Sequence, residues 1–543
     1  MEQPKHQVTR LLLGTAVLLY VVVFSVLGVA RYDTFHATTF DLGIMTQVVW
    51  NTAHGRWFET SIDRATNVEL IGSYLGNHVR PILLLLAPFY RLWPDPRLLL
   101  ILQSIALGLA AVPLYWVARR KTGDPKSALV IVCCYLAYPA LGFLNLCDFH
   151  PIAFSIPCLF LAYWALLEGR TALFWIAVLL ALSTKEEMVV PIAAWGLVNL
   201  LQPGKRRVGL GLLALAGAWA VLCLGLIIPY FNAGRPYRFW QLWSHLPGFS
   251  AQPSVQGGTA QPAMGTSPET VILFLLHLAL PLGFVPCLGP ASLAVALPSL
   301  AYLLLGKRPA FHSVGYQYPA VLIPWLFLAT VEGLRRLRRM ASRPGGLSIS
   351  NLARPGSPAP GQKRGFGNPL RATLGPLSLR CYRLGLACLL IGTLGINIPL
   401  NPILLYARQG AFRPDPYHEQ IAEALALIPP ESGVATVNRL GPALSNRRVL
   451  VALEYPPPLR LDHVQMADYV LLDLVDCRAV PALDQRARYA EIVTQVMHTG
   501  FFRVRYWSGR ILLLERGTPT EEQLAAILAY VTDLVDQNQP CWP

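Results

Sequence analysis

Four short stretches carry most of the ionisable residues whose types and spacing could do chemistry. The first holds Tyr32, Asp33, Asp41 and Gln47, then Asp63 and Glu69, and ends in His78 and Arg80. The second is Asp148-Phe149-His150-Pro151, the third Lys185-Glu186-Glu187, and the fourth contains Arg235, Arg238, Trp240, Trp243 and His245. A placed carboxylate can accept a hydroxyl proton, a contribution of about 10² to 10⁴ in rate. Arginine offers phosphate a bidentate fork and lysine a point charge. Asp148, His150 and Glu186 could orient another acid, bind substrate hydroxyls, or hold a divalent cation through oxygen and imidazole ligands. No cysteine or histidine spacing suggests zinc.

Each stretch also has a plainer reading. Asp41 could cap a helix over residues 42–50, since Asp is a favoured N-cap. Asp148 and His150 could be a satisfied loop turn, and Lys185 could pair with Glu186 or Glu187 at a hairpin tip. Trp240 and Trp243 suit an interfacial belt. Arg235 and Arg238 are harder to explain, because outward positive charge opposes the usual loop bias.

The elements that must position these groups are apolar. Only 14% of the 543 residues are charged, against about 25% in soluble chains, and 54% are hydrophobic. Solubility throughout is thereby excluded, and the excess of 45 Lys+Arg over 30 Asp+Glu falls largely at the ends of apolar runs. That placement reads as membrane orientation, not nucleic-acid binding. Residues 11–29, after Lys5 and Arg10, suit a spanning helix that is retained. Basic clusters at 119–126, 205–207 and 335–339 mark the cytoplasmic side. Between them the pattern predicts spans near 98–118, 128–145, 152–167, 172–184, 188–201, 208–230, 270–288, 291–305 and 318–334. Residues 335–383 read as a basic, flexible cytoplasmic linker and 384–406 as a last span.

From residue 407 to 543 the pattern becomes that of an α/β domain outside the membrane. It predicts a helix near 418–427, strands at 434–437 and 469–474, and a late helix opened by Thr520 and Gln523 at capping-box spacing. The expected fold is thus an α-helical polytopic membrane protein of about eleven spans, N-terminus cytoplasmic, with a small extracytoplasmic α/β domain. Its core is residues 1–334, with a first outward loop at 30–80. Parity puts all four polar stretches on the outer side. Eight of the ten cysteines lie in or beside apolar runs, while Cys477 and Cys541 could form a disulfide.

The order of these features resembles the type C glycosyltransferases: a span, an outward loop with an early acid, a His-x-x-Pro, Pro94-Asp95-Pro96, and a span ending in Arg119-Arg120. More closely, several motifs are similar to an uncharacterised bacterial membrane family, domain of unknown function 2079. They are Phe40-Asp41-Leu42-Gly43 with Gln47 and Trp50, His78 with Pro81, Asp148-Phe149-His150-Pro151, Lys185-Glu186-Glu187, and residues 467–474. The resemblance runs from about residue 30 to 475. It implies an inverting enzyme of the bacterial inner membrane that moves a sugar from a polyprenyl-phosphate donor to an acceptor hydroxyl, of a glycan, lipid or protein, on the outer face. Under it Asp41 is the general base, Asp148 and His150 complete the catalytic group, and Gln47, His78, Arg80, Lys185, Glu186, Glu187, Arg235 and Arg238 bind substrate. The sequence departs from that family's pattern at Val79-Arg80 and at Gln317-Tyr318, with His312 displaced upstream. A transporter or flippase is the main alternative, since ionisable residues among spans also mark substrate paths. A non-catalytic scaffold is the second.

Overall fold

The computed structural model describes residues 4–62, 71–237, 239–240, 267–342, 370–414, 416–453, 461–474 and 485–536. Asp63, Glu69, Arg238, Trp243, His245, Cys477, Cys541 and most of the expected linker lie outside them.

Apolar composition makes helices of most of the described residues up to Arg408. α1 (Pro4–Asp33) is followed by a π-helical turn, Thr39–Gly43, and α2 (Ile44–Ala53). A small ribbon of β1 (Glu59–Thr60) and β2 (Gly72–Ser73) precedes α3 (Leu83–Leu92). α4 (Pro96–Leu109) begins where the Asp95 carboxylate accepts the Arg97 N–H, and it runs on into α5 (Ala111–Thr122). Gly123 ends α5 in the left-handed conformation that glycine adopts without cost. α6 (Pro125–Leu136) and α7 (Pro139–Leu146) form a pair bent by 44°, with Pro139 opening the second member. α8 (Ser155–Leu167), α9 (Thr171–Leu182) and α10 (Val189–Leu200) follow, then α11 (Arg206–Ala220), which continues through a π-helical stretch into α12 (Ile228–Phe231). The remaining helices of this part are α13 (Pro268–Ala279), α14 (Pro290–Leu305), α15 (Ile323–Ser342), α16 (Leu370–Asn397) and α17 (Pro402–Arg408).

Among the described residues four stretches are long and apolar enough to cross a membrane: Gln7–Asp33, Pro96–Thr122, Arg206–Phe231 and Arg380–Arg408. The bent pair α6–α7 makes a fifth, and shorter apolar helices surround them. Eleven spans is therefore more than length and composition establish. Besides the bent pair, two further expected spans are interrupted: residues 270–288 break into 3₁₀ turns carrying Pro281 and Pro286, and 384–406 breaks before Pro402. Proline removes a backbone donor and clashes with the preceding turn, which accounts for both breaks.

Beyond α17 the chain forms α18 (His418–Ala426), β3 (Val434–Thr436), β4 (Leu450–Ala452), α19 (Leu461–Gln465), β5 (Tyr469–Asp473), α20 (Gln485–His498), β6 (Phe502–Trp507), β7 (Ile511–Arg516) and α21 (Glu521–Asp536). The five-stranded sheet has the order β4-β3-β5-β7-β6, parallel on one side of β5 and antiparallel on the other. The Thr520 hydroxyl accepts the Gln523 N–H, so the expected cap of the late helix is present. Buried Asp473, at the end of β5, is gripped by Arg510 at 2.7 and 2.8 Å and lies 3.2 Å from Arg439.

One apolar core joins this sheet to the segment after α1. Leu42, Met45, Val48 and Val49 are buried in the same cluster as Val434, Leu450, Val470 and Leu512. Polar contacts seal the joint. The Thr39 N–H donates to the Asn438 carbonyl at 2.9 Å and its Oδ1 at 2.8 Å, Tyr90 donates to Asn446 at 2.7 Å, and Arg448 pairs with Glu59 at 2.9 Å.

Candidate active site

Asp41 sits inside the π-helical turn, where its own carbonyl accepts the Ile44 N–H, and no side chain caps the start of α2. The capping reading of Asp41 is therefore corrected: helical backbone already begins ahead of it. Its carboxylate has no ion pair among the described residues, and its Oδ2 lies 3.4 Å from the Thr38 hydroxyl. That hydroxyl has a single proton and a nearer acceptor, Asp148 Oδ2 at 2.7 Å. Asp41 is thus held loosely. Burial pushes its carboxyl above the usual range, against the opposing pull of Arg308, Arg80 and Arg31.

Asp148 is the fixed member of the pair. It is 2% exposed, takes the Thr38 N–H at 2.9 Å as well as the hydroxyl, and forms an ion pair with Arg31 at the end of α1. Its backbone adopts φ 57°, a left-handed conformation that Asp tolerates better than most residues, and its carbonyl accepts from Gln103 at 2.8 Å. Asp148 therefore ties the end of α1 to the segment bearing Asp41. His150 is buried too, with its N–H held by Gln103 at 2.8 Å and its Nε2 without a partner. Burial, reinforced by Arg80, lowers its imidazole to about 3, so the ring is neutral.

A second knot lies around Glu186. It accepts from the His78 imidazole at 2.6 Å, the Val79 N–H at 3.1 Å and the Tyr237 hydroxyl at 2.7 Å. Burial would raise this carboxyl, but His78, Lys185 and Arg80 outweigh it and hold Glu186 well below the usual range. Phe239 stacks on His78 with centroids 4.8 Å apart. Lys185 pairs with Glu187 at 2.5 Å, which is the plain ion pair that a hairpin tip suggests.

Arg80 stands between the two knots. It exerts a pull on Asp41, His78, His150 and Glu186, yet has no ion pair among the described residues. It contacts Met45 Sδ at 3.4 Å and the Tyr74 ring, and its buried Nε has no hydrogen-bond partner among the described residues. An arginine buried without a counter-anion is costly unless an anion arrives.

The structure thus brings Asp41, Asp148, His150, His78, Arg80, Lys185, Glu186 and Glu187 together. Gln47 points elsewhere: its amide donates to Ser61 and the Arg447 carbonyl and accepts from Thr60 and Ser61, leaving no atom of the amide unengaged. Arg235 is half-buried in the turn before Tyr237. Among the described residues no three His, Cys, Asp or Glu side chains form a group that could hold a metal ion. Thr38, Arg31, Tyr237 and Arg308 were not anticipated. Arg308 carried a usable signal, since it lies in an outward segment by the same parity that singled out Arg235.

A family model described as predicted membrane protein (DUF2079) matches residues 31–349. The match stops short of 467–474, which were expected to belong to it. No curated protein matches. Two crystal structures of ArnT from Cupriavidus metallidurans are similar in overall shape. The form bound to undecaprenyl phosphate has a TM-score of 0.46 at 12% identity, and the apo form 0.48 at 15%; in each comparison 92% of this chain and 97% of the other are covered.

Proposed function

The chain belongs to the DUF2079 family of predicted membrane proteins, and on that premise we propose that it is an integral-membrane glycosyltransferase of the bacterial inner membrane, taking a sugar from a polyprenyl-phosphate donor to an acceptor hydroxyl at the outer face. The observation that carries this reading is a desolvated carboxylate, Asp41, within the field of a buried arginine, Arg80, neither of which has an ion pair among the described residues. A base poised above the ordinary carboxylate range and a cation awaiting a phosphate are what displacement at an anomeric carbon requires.

In this mechanism Asp41 takes the acceptor's proton as its oxygen attacks the anomeric carbon and the bond to the phosphate oxygen breaks. Arg80 receives the departing phosphate, with Arg308 at the same carboxylate and Arg235 and Arg238 as further cations of the outer loops. Asp148 acts through Thr38 as a positioning residue, and neutral His150 offers Nε2 to a sugar hydroxyl. His78 and Glu186 fix the backbone before Arg80, because the Val79 N–H is bound by Glu186. A single displacement leaves no sugar on the protein, so the anomeric configuration inverts. An apolar groove of about 290 Å³ between α13, α14 and α15, lined by Leu276, Leu297 and Leu326 among others, suits a polyprenyl chain.

The test is transfer from a polyprenyl-phosphate-linked sugar by protein reconstituted in liposomes. Asp41→Asn is expected to lose about 10² to 10⁴ in rate, the usual worth of a general base. Losing Asp148 or His150 should cost less, and full activity in Asp41→Asn would overturn the assignment.

A further inference from the structure

The helices α8 and α10, which begin just after His150 and Glu186, help to enclose a cavity at their other ends. It measures about 440 Å³, within the range of small-molecule sites, and lies between the ends of α5, α8, α10 and α15 and the start of α14. On the helix Pro96–Thr122, Gln103 holds Asp148 and His150 while Lys121 lines the cavity, so at about 1.5 Å per residue the two places lie about 27 Å apart along its axis.

Five cations line this cavity: Lys121, Lys205, Arg335, Arg336 and Arg339. The lining includes one carboxylate, Glu332, whose oxygens already accept from the Tyr163 hydroxyl at 3.0 Å and the Ser292 N–H at 3.2 Å. Among the described residues Lys121, Lys205, Arg335 and Arg336 have no carboxylate within ion-pair distance. Orienting a chain in a membrane requires basic residues at helix ends, but it does not require five of them to converge on a hollow that holds a single carboxylate. Burial, aided by Arg335, outweighs the opposing pull of Glu332 and pushes the Lys205 ammonium below its ordinary value, a penalty that a bound anion would relieve.

The deeper wall is aromatic. Tyr163 stacks on Trp195 with rings 16° apart, and Trp195 meets Trp325 edge-on at 5.2 Å. Trp325 is fully buried, and its indole N–H has no acceptor. A buried donor left unpaired costs about 1 to 3 kcal/mol, so its presence beside four unpaired cations marks a place for an acceptor.

We propose that this cavity is a phosphate-binding site on the face opposite Asp41, taking the phosphate of a lipid headgroup or of a soluble phosphate ester. The cations hold its oxygens, the Trp325 N–H donates to it, and the Tyr163 and Trp195 faces pack against the attached group. It is separate from the transfer site and would stand if that reading failed.

The test uses the full chain in nanodiscs of neutral phosphatidylcholine, with inorganic pyrophosphate titrated by calorimetry and retained phosphatidic acid counted by native mass spectrometry. At least one probe should bind, and its affinity should fall at least tenfold in Lys121→Gln/Arg335→Gln and at least threefold in Trp325→Phe, a change that leaves charge and topology signals intact. Asp41→Asn should bind as the wild type does. Pyrophosphate binding alone assigns the soluble source, and phosphatidic acid retention assigns the lipid. Failure of both probes, or unchanged binding in both cavity variants, overturns the site.

Discussion

Gly441 of the C-terminal domain packs against Thr39 in the Asp41 segment, and adding one methyl group there tests whether that contact positions the carboxylate. A Cβ on Gly441 would lie 1.9 Å from Thr39 Oγ1, 2.8 Å from its Cγ2 and 2.9 Å from its Cβ. Carbon contacts are comfortable at about 3.5 to 4.0 Å, so one partner must retreat by roughly 1.5 Å. Thr39 is fully buried and has no room to yield. Overpacking of this kind costs about 1 to 3 kcal/mol. Retreat also stretches the Thr39 amide and hydroxyl bonds to Asn438, worth about 0.5 to 1.5 kcal/mol each. Gly441→Ala should therefore loosen the joint by about 2 to 6 kcal/mol in total. Because Asp41 is two residues from Thr39, a shift near 1 Å should cost about 10²-fold in transfer. The assay pairs lipid-linked sugar transfer with amide exchange over residues 38–45, which should accelerate at least about 30-fold, each factor of ten being about 1.4 kcal/mol. Thr39→Gly in the same chain should restore part of both. Unchanged transfer and exchange in Gly441→Ala would refute the claim that this domain holds the Asp41 turn, and so would lost activity with unchanged exchange.

Transfer should fall as pH drops through the raised Asp41 value, on a limb displaced above the usual carboxylate range, as a pH profile of kcat/KM would show. Folding pays the opposite way: a carboxyl raised on folding stabilises below its unfolded pKa and forfeits this as pH rises through the folded one. Asp41→Asn should therefore unfold at a higher temperature than wild type at neutral pH. Glu186 is held low, so its stabilisation is present above the unfolded pKa and is lost as pH falls through the folded one; Glu186→Gln should cost about 1.5 to 3 kcal/mol at neutral pH and raise KM, measured by thermal unfolding and transfer. Asp473→Asn strips the anion from buried Arg510 and Arg439 and should cost about 3 to 5 kcal/mol, read as a lower midpoint of unfolding in detergent.

Much of this arrangement was legible in the sequence because charge is scarce. In an apolar chain Asp41, Asp148, His150, His78 and Glu186 stand out, and parity places them on one side. Pairing was not legible. Nothing in the residue types says that Asp148 takes Arg31 and Thr38 while Asp41 is left loose, since either acid could have occupied either place. Thr38 escaped notice because a lone hydroxyl in a loop has many ordinary uses. Gln47 looked like a ligand and proved a brace, its amide spent on Ser61 and the Arg447 carbonyl nearly four hundred residues on. In the C-terminal region β3, β5, α18 and α21 followed from local pattern. β6 and β7 did not, although their hairpin supplies buried Leu512 and Leu514.

The core shared by Leu42, Val48 and Leu450 also sets a schedule for biosynthesis. Thr39 and Asn438 are 399 positions apart, so the early segment is made long before the strands that cover it exist. At about 5 to 20 residues per second, translation leaves that apolar surface uncovered for roughly 20 to 80 seconds. Contacts closing over so long a stretch of chain form slowly, and the segment must be shielded meanwhile. A ribosome stalled before codon 434 would thus release a chain with its membrane helices made and its Asp41 turn unsupported, a natural target for quality-control proteases.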